Sequence, residues 1–562
     1  MFDRHFAHWP PGVPHHLALP DETLVRSVAR TVAQAGDRTA IIYHGHEISY
    51  RDFWDQVESL AGYLQQRCGV AKGDRVLLFM QNAPQFITGY YAILRADAVV
   101  IPVNPMSRHA ELQHYARDSG ATVMLAGQEL LDRATPLAEE GLLHHIIAAH
   151  YGELADPGYD IPLPDPLGDL DPADIGGPGV TRWHDAIAAG LAPGEARATM
   201  QDLAVIPYSS GTTGQPKGCM HTHKSLYVTA LGGVVWNPMG KDDLSLAVLP
   251  FFHVTGMQAS MNAPLLTGGR IVIMTRWNRA VAAELIKRYR ITRWRSISTM
   301  AIDLVNDPDF DRYDLSSLEA IGGGGAAMPD AIAKKLKAMT GLDYIEGYGM
   351  SETIAATHIN PVQAPKRQCL GIPVFDVDCR VISVTDGTEL GPGETGEIII
   401  DGPQVFAGYW GNEKATEETF MIHDGKRFLR TGDLGYYDED GYFFMVDRVK
   451  RMINAAGFKV WPAEVEMLML KCPAVAEACV IGTTDPRRGE SVKAYVVRSA
   501  GGADTGAEAI IEWCRGEMAA YKCPRKIAFV DKLPKSGSGK VLWRELQQKE
   551  NEMQRGAEKV AG

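Results

Sequence analysis

The stretch YSSGTTGQPKGCMHTH, residues 208–223, packs four aliphatic hydroxyls, three glycines and a lysine into its first eleven residues. Glycines let a backbone approach a phosphate closely. Hydroxyls and backbone N–H groups then donate to its oxygens, and a lysine balances charge. A Walker A loop needs GxxxxGK[ST]. Here Pro216 precedes Lys217 and Gly218 follows it, so that template fails. What remains is a phosphate loop of another kind or an exposed turn, and the flanking sequence has to decide between them.

On both sides of this loop the pattern alternates between two periods. Phe53, Val57, Leu60, Ala61 and Leu64 fall on one helical face. RVLLFM (75–80), AVVIPV (98–103) and ATVMLA (121–126) are short unbroken apolar runs, as strands buried on both faces should be. SLAVLP (245–250), RIVIM (270–274) and GEIII (396–400) read the same way. The run 156–179 is rich in Pro, Gly and Asp and reads as a long surface loop. Strands alternating with helices predict an α/β fold with a parallel sheet. Between 376 and 447 short strands with Gly-rich turns predict a β-rich subdomain. After Lys450 the character changes. An amphipathic helix at 461–473 with Pro462 near its start, strands at 476–483, 491–499 and 526–530, and a helix at 507–518 predict a small α+β domain. The expected division is a large domain over 1–449 and a small, mobile one over 450–562. The last residues, 551–562, are expected to fray.

A chain of 562 residues exceeds one hydrophobic core. Its net charge of −13 argues against nucleic acid or an anionic membrane surface as the main partner. There is no secretory h-region and no apolar run of about 18 residues, so no integral membrane segment is expected and a cytoplasmic location is. The eight cysteines are scattered without CxxC, which predicts reduced, mostly buried thiols. A homodimer is left open.

Four further segments carry candidate chemistry. GYGMSET (347–353) sets Tyr348 between glycines, with Glu352 close behind. An aromatic can stack on a purine, and a carboxylate can hold Mg²⁺ beside phosphates. TGD (431–433) supplies a carboxylate of the kind that accepts from ribose hydroxyls. Arg448 can reach a ribose or phosphate oxygen. PKSGSGKVLWREL (534–546) carries Lys540 and again fails the Walker pattern, because Val541 follows.

In this order the segments resemble the adenylate-forming superfamily, which includes acyl-CoA synthetases, firefly-type luciferases and peptide-synthetase adenylation domains. The resemblance runs from about residue 20 to 546 and is strongest toward fatty acyl-CoA synthetases. It implies a two-step reaction: a carboxylate attacks the α-phosphorus of MgATP, and a thiol, usually coenzyme A, then displaces AMP. It also implies roles for residues. Ser209, Ser210, Gly211, Thr212, Thr213, Gly214 and Lys217 would close over the β- and γ-phosphates. Gly324, Gly325, Ala326 and Ala327, with Gly347, Tyr348 and Gly349, would line the adenine site. Ser351, where the family usually has Thr, would touch the α-phosphate, and Glu352 would hold Mg²⁺. Asp433 and Arg448 would bind the ribose, and Lys540 would bridge the incoming carboxylate and the α-phosphate. Lys450 falls at the family's hinge, and rotation there would bring Gly457, Phe458 and Lys459 toward a pantetheine tunnel.

LPFFHVTGMQ (249–258) resembles the segment beside the acyl pocket. His253 would sit near the carboxylate or gate the thiol route. Gly256, Met257, Thr299, Gly322, Gly323 and Gly324 would line the pocket, the glycines leaving room for a chain. No basic residue stands out in sequence as positioned for a second carboxylate, so an apolar monocarboxylate is expected: a medium- or long-chain fatty acid first, an aryl acid second. Loading of a separate carrier protein, luciferase-like oxidation and a non-catalytic nucleotide-binding regulator are the alternatives.

Overall fold

The computed structural model describes residues 2–209, 216–448, 451–455, 458–485, 489–535 and 541–561. The chain forms two compact units, Met1–Asp378 with Ile400–Leu429, and Cys379–Ile399 with Arg430–Gly562. The 449/450 division expected from sequence falls inside the second unit, and Lys450 lies outside the described residues.

Two sheets dominate the first unit. One has nine strands, in the order Ile372–Pro373, Ala355–Ile359, Tyr344–Met350, Ala320–Gly324, Arg293–Ile297, Leu244–Ala247, Arg270–Ile273, Thr39–Tyr43, His46–Ser49. Its six central strands, from Tyr344–Met350 to Thr39–Tyr43, run parallel. The other has seven strands, centred on Val99–Pro102, Arg75–Phe79 and Val123–Gly127. Parallel pairing requires crossover connections, and these supply the helices that cover both faces. An inner layer lies between the sheets: Phe53, Val57 and Leu60 from the helix Tyr50–Gln66, Phe86 and Tyr90 from Pro84–Arg95, and Leu226 and Tyr227 from His223–Trp236 share one core with strand residues Ile41 and Leu78. Ser49 caps the first of these helices by accepting from the Asp52 backbone N–H. Each fully buried Phe or Leu of this layer contributes about 2 kcal/mol of transfer free energy. Separate outer cores cover the other faces, Trp294 and Ile286 on the nine-stranded sheet and Leu77 and Met124 on the seven-stranded one.

In the second unit Val475–Asp485 and Gly489–Arg498 form an antiparallel hairpin, and Lys526–Phe529 runs parallel to the latter. The helices Pro462–Met469 and Ala507–Glu517 bury Val465, Met469, Ile510 and Cys514 against these strands. This is the α+β pattern read from the sequence. The expected fraying of 551–562 is not found: the backbone continues as the helix Trp543–Ala561. Its anchor is Glu550, buried and ion-paired with Lys493, with Tyr495 Oη and Thr483 Oγ1 both donating to the carboxylate at 3.2 Å.

Seven of the eight cysteines are buried, all eight are free thiols, and Cys68 is partly exposed. No helix among the described residues is long and apolar enough to cross a membrane.

Candidate active site

Both legs of the 208–223 loop are described. Tyr208 pairs with Gly218 and Ser209 with Lys217 in a short antiparallel ladder, and Ser209 Oγ donates to the Lys217 carbonyl at 3.5 Å. Ser210, Gly211, Thr212, Thr213 and Gly214 lie outside the described residues. The downstream leg is also bound along its other edge. Met220 N–H donates to Gly408 O at 3.0 Å, Ala407 N–H to Met220 O at 2.9 Å, and Trp410 N–H to Gly218 O at 2.8 Å, with Cys219 and Tyr409 forming a bridge between them. Asp118 ties the two edges together, accepting from Tyr208 Oη at 2.6 Å and, through its carbonyl, from Trp410 Nε1 at 2.9 Å. Lys217 is therefore fixed at its base.

Its ammonium stands 4.8 Å from the centre of the Tyr409 ring, and the Tyr409 hydroxyl donates to Glu352 Oε1 at 2.8 Å. Tyr409 thus meets the cation with its ring and the carboxylate with its hydroxyl. Glu352 is 7% exposed. Burial, and then the Glu352 charge, push the Tyr409 hydroxyl well above its usual range, so it stays a donor. The same two causes raise the Cys219 thiol. The turn Ser351–Thr353 that presents Glu352 is held from several sides. Glu352 O accepts from Phe406 N–H at 2.9 Å, and Ser351 O accepts from His221 Nε2 at 2.7 Å. Burial lowers His221 to about 4, so the ring is neutral. Ile354 and Ala355 follow with φ of 47° and 103°, a left-handed backbone that costs non-glycine residues roughly 1–3 kcal/mol each. The Thr353 hydroxyl holds that backbone, donating to Ala355 O at 2.8 Å and accepting from Met350 N–H at 3.0 Å.

The glycines assigned to the adenine and acyl sites lie side by side. Gly322, Gly323 and Gly324 pair with Ile345, Glu346 and Gly347 of the neighbouring strand. Their missing side chains do not leave open room, as sequence reasoning expected. A Cβ on Gly323 would lie 1.8 Å from Ser296 O, and one on Gly324 would lie 2.3 Å from Gly347 O. These positions are glycine because backbone approaches backbone there. The same holds for Gly256, where a Cβ would meet Pro250 O at 2.2 Å. The loop after the strand is pinned by groups that sequence reasoning missed. Ser298 Oγ donates to Ala326 O at 2.7 Å, and Glu346 accepts from Met328 N–H and Gln368 N–H at 2.8 Å each. Gly325 takes φ +86°, and Ala327 follows in the same loop. Tyr348 meets the buried His358 edge to face at 5.6 Å, and Gly349 sits against Ala355.

His253 is exposed at the start of an irregular helix that continues through Gly256–Asn262, and its Nδ1 accepts from Thr255 N–H at 3.4 Å. Met257 is fully buried in the inner core, while Thr299 is exposed in the first turn of Ser298–Val305. One cation on this side had no place in the sequence reading. Arg293 and Arg295 share one face of the strand Arg293–Ile297, opposite Trp294. Two arginines on either side of Trp294 inside a central strand were the available signal.

In the second unit Asp433 pairs directly with Arg448 across two antiparallel strands, and Arg448 Nε lies 2.9 Å from Asp433 Oδ1. Asp433 is 1% exposed. The two residues expected at the ribose are therefore neighbours. Phe458 and Lys459 lie on the strand Phe458–Val460. Lys450, Gly457 and Lys540 lie outside the described residues.

Residues 28–410 match the AMP-binding enzyme family and residues 464–540 match the AMP-binding enzyme C-terminal domain. The chain is 32% identical over 560 residues to a long-chain-fatty-acid–CoA ligase of Bacillus subtilis, covering 97% of this chain and 98% of the relative. Among solved structures it resembles ATP-bound MatB from Rhodopseudomonas palustris, with a TM-score of 0.80, 27% identity and coverage of 93% and 98%. It also resembles the anthranilate CoA ligase AuaEII in complex with anthranoyl-AMP, with a TM-score of 0.81, 26% identity and coverage of 96% and 99%. The chain belongs to the AMP-binding enzyme family, the adenylate-forming superfamily that its motifs resemble.

Proposed function

We propose that this protein is an ATP-dependent carboxylic acid:CoA ligase that acts on a medium- or long-chain fatty acid. The contacts of Tyr409 with Lys217 and Glu352 beside the glycine- and hydroxyl-rich loop carry the reading, and the similarity to long-chain-fatty-acid–CoA ligases supports it. In the first step a carboxylate oxygen attacks the α-phosphorus, the bond to the β-phosphate oxygen breaks, and pyrophosphate leaves. In the second, the coenzyme A sulfur attacks the acyl carbon and AMP leaves with the bridging oxygen.

Ser209, the loop 210–214 and Lys217 bind the β- and γ-phosphates and stabilise the charge that collects on the leaving group. Ser351 donates to an α-phosphate oxygen. A buried carboxylate with one oxygen already oriented by a tyrosine hydroxyl suits Mg²⁺, which takes one or two protein carboxylates and completes its shell with phosphates and water. Bound there, Mg²⁺ supplies neutralisation of the polyphosphate. Gly324–Ala327 and Gly347–Gly349 frame the adenine, with Tyr348 as the stacking ring. Asp433 accepts from the ribose hydroxyls beside Arg448. Lys540 pairs the incoming carboxylate with the α-phosphate, and His253 stands at the acyl end. Reorientation at Lys450 then replaces Lys540 with the segment Gly457–Lys459 for thioester formation.

An aryl acid is the second reading, favoured by the likeness to the anthranilate ligase. Pyrophosphate release over a panel of fatty and aryl acids, with and without coenzyme A, decides between them. Coenzyme A-dependent thioester formation is expected with fatty acids. Release without any thioester would turn the reading toward carrier loading. Lys540→Ala is expected to abolish adenylation yet spare thioester formation from supplied acyl-AMP; equal loss of both half-reactions would reject its assigned role.

A further inference from the structure

Two arginines project from one face of the strand Arg293–Ile297, and they are treated differently. Arg293 is buried and paired: its Nε lies 2.6 Å from Asp243 Oδ1, and its Nη1 donates to Asn237 Oδ1 at 3.4 Å. Asn237 closes the helix His223–Trp236, so this face looks into the layer between the two sheets. Arg295, two residues along, has no carboxylate partner among the described residues. Its guanidinium lies across the neighbouring strand at Gly322: a Cβ placed there would stand 2.9 Å from Arg295 Nη1. That Cβ would first meet Ile345 O at 2.4 Å, so backbone approach sets the glycine, and Arg295 lies against it at one of the positions assigned to the acyl pocket.

The surroundings do not offset the charge. Arg293 is a second cation, and Tyr344 acts weakly in the opposite direction. Desolvation, followed by Arg293, lowers Arg295 to about 10, so the group is still charged at neutral pH. Unlike a lysine, an arginine does not escape burial by losing its proton. A partly desolvated cation without a counter-charge is unfavourable, and an incoming anion would offset that. The residue itself is partly exposed.

We propose that Arg295 determines specificity in the acyl pocket, and that the preferred acid carries a second carboxylate, which the guanidinium receives beside Gly322. This rests on the ligase reading and narrows its substrate to a fatty acid with two carboxylates, one activated by ATP and one bound by Arg295. A planar guanidinium fits a carboxylate through two parallel hydrogen bonds, which a hydrocarbon terminus cannot make. An apolar chain would instead leave the cation desolvated and unpaired.

The test compares monocarboxylic and dicarboxylic acids of equal length, from six to sixteen carbons, by pyrophosphate release and thioester formation. The variants are Arg295→Met, which keeps the bulk without charge, and Arg295→Lys, which keeps the charge. The wild type should favour the diacid in kcat/KM by about 30-fold or more. Arg295→Met should lose that preference, chiefly through KM, with the monoacid rate unchanged or raised, and Arg295→Lys should retain part of it. A ligand-induced rise in Tm with diacid should be present in the wild type and absent in Arg295→Met. Turnover confined to monoacids, with a ratio unaffected by Arg295→Met, overturns the proposal and leaves the ligase reading intact. Equal loss of both acids in Arg295→Met also overturns it, because the guanidinium would then bind the reacting carboxylate. No pyrophosphate release with any acid rejects the ligase reading, and this proposal with it.

Discussion

Tyr409 stands between the two charges of the site. Its ring faces the Lys217 ammonium and its hydroxyl holds one oxygen of Glu352. A hydrogen bond to a charged group contributes about 1.5–3 kcal/mol, and the ring itself adds about 0.5–2 kcal/mol of cation–π attraction. Tyr409→Phe removes the first and keeps the second. The expected result is a fall in acid-dependent ATP–pyrophosphate exchange of about 10- to 100-fold, with a higher Mg²⁺ concentration needed for half-maximal rate. Tm should change little, because the ring still packs against Phe406 and Cys219. An unchanged Mg²⁺ titration would show that the hydroxyl does not orient the carboxylate. Glu352 was legible as a candidate because it follows a glycine–aromatic–glycine run. Tyr409 was not, because it reaches Glu352 from 57 residues away. His221 was equally hidden, contacting Ser351 across 130 residues. No local pattern encodes such pairings.

At the scale of elements, the strand Tyr344–Met350 and its antiparallel neighbour Ala355–Ile359 set the turn that carries Glu352. Their approach is so close at Gly349 that a Cβ would lie 1.7 Å from Ala355 O. Gly349→Ala is expected to destabilise the protein by about 2 kcal/mol or more, read as a lower midpoint in urea, and to depress adenylation further than the stability loss accounts for. A wild-type midpoint would mean the two strands part without cost. Elements of this kind were largely readable. RVLLFM, AVVIPV and ATVMLA are strands because a strand covered on both faces has no polar side to show, and the helix Tyr50–Gln66 showed its face at the expected spacing. The C-terminal helix was not readable. Its residues 551–562 have no apolar stripe, and its stability comes from Glu550 pairing with a distant strand. The glycines of the acyl segment were read as room for substrate, whereas Gly323 and Gly256 are set by neighbouring carbonyls. Glycine spacing alone does not distinguish the two causes.

At the scale of the whole molecule, four histidines make the first unit sensitive to acid. Desolvation lowers His5, His221 and His223 to about 4 and His358 to about 3, against 6.5 for an exposed ring. Between those values the unfolded chain binds protons that the folded chain refuses. Stability is therefore complete above about pH 6.5 and is lost as pH falls toward about 4. Each ring contributes up to about 3 kcal/mol to that loss. Tm followed from pH 7.5 to 4.5 should fall with a slope steeper than one proton. His223→Gln should flatten it by about one proton. An unchanged slope in that variant would remove His223 from the set. The shift in pattern was read as a boundary at 449/450, whereas the two units divide at 378/379, 399/400 and 429/430, since one run of short strands contributes to both.

Cys219 gives the site a chemical clock. The thiol is fully buried on the Lys217–Met220 leg, and burial together with Glu352 suppresses its thiolate. A thiol reagent can attack it only when that leg peels away from Phe406–Trp410. The rate of modification at Cys219 therefore counts openings of the phosphate-binding edge in the resting protein. Saturating MgATP should slow that rate and leave the partly exposed Cys68 unaffected, as peptide-resolved alkylation would register.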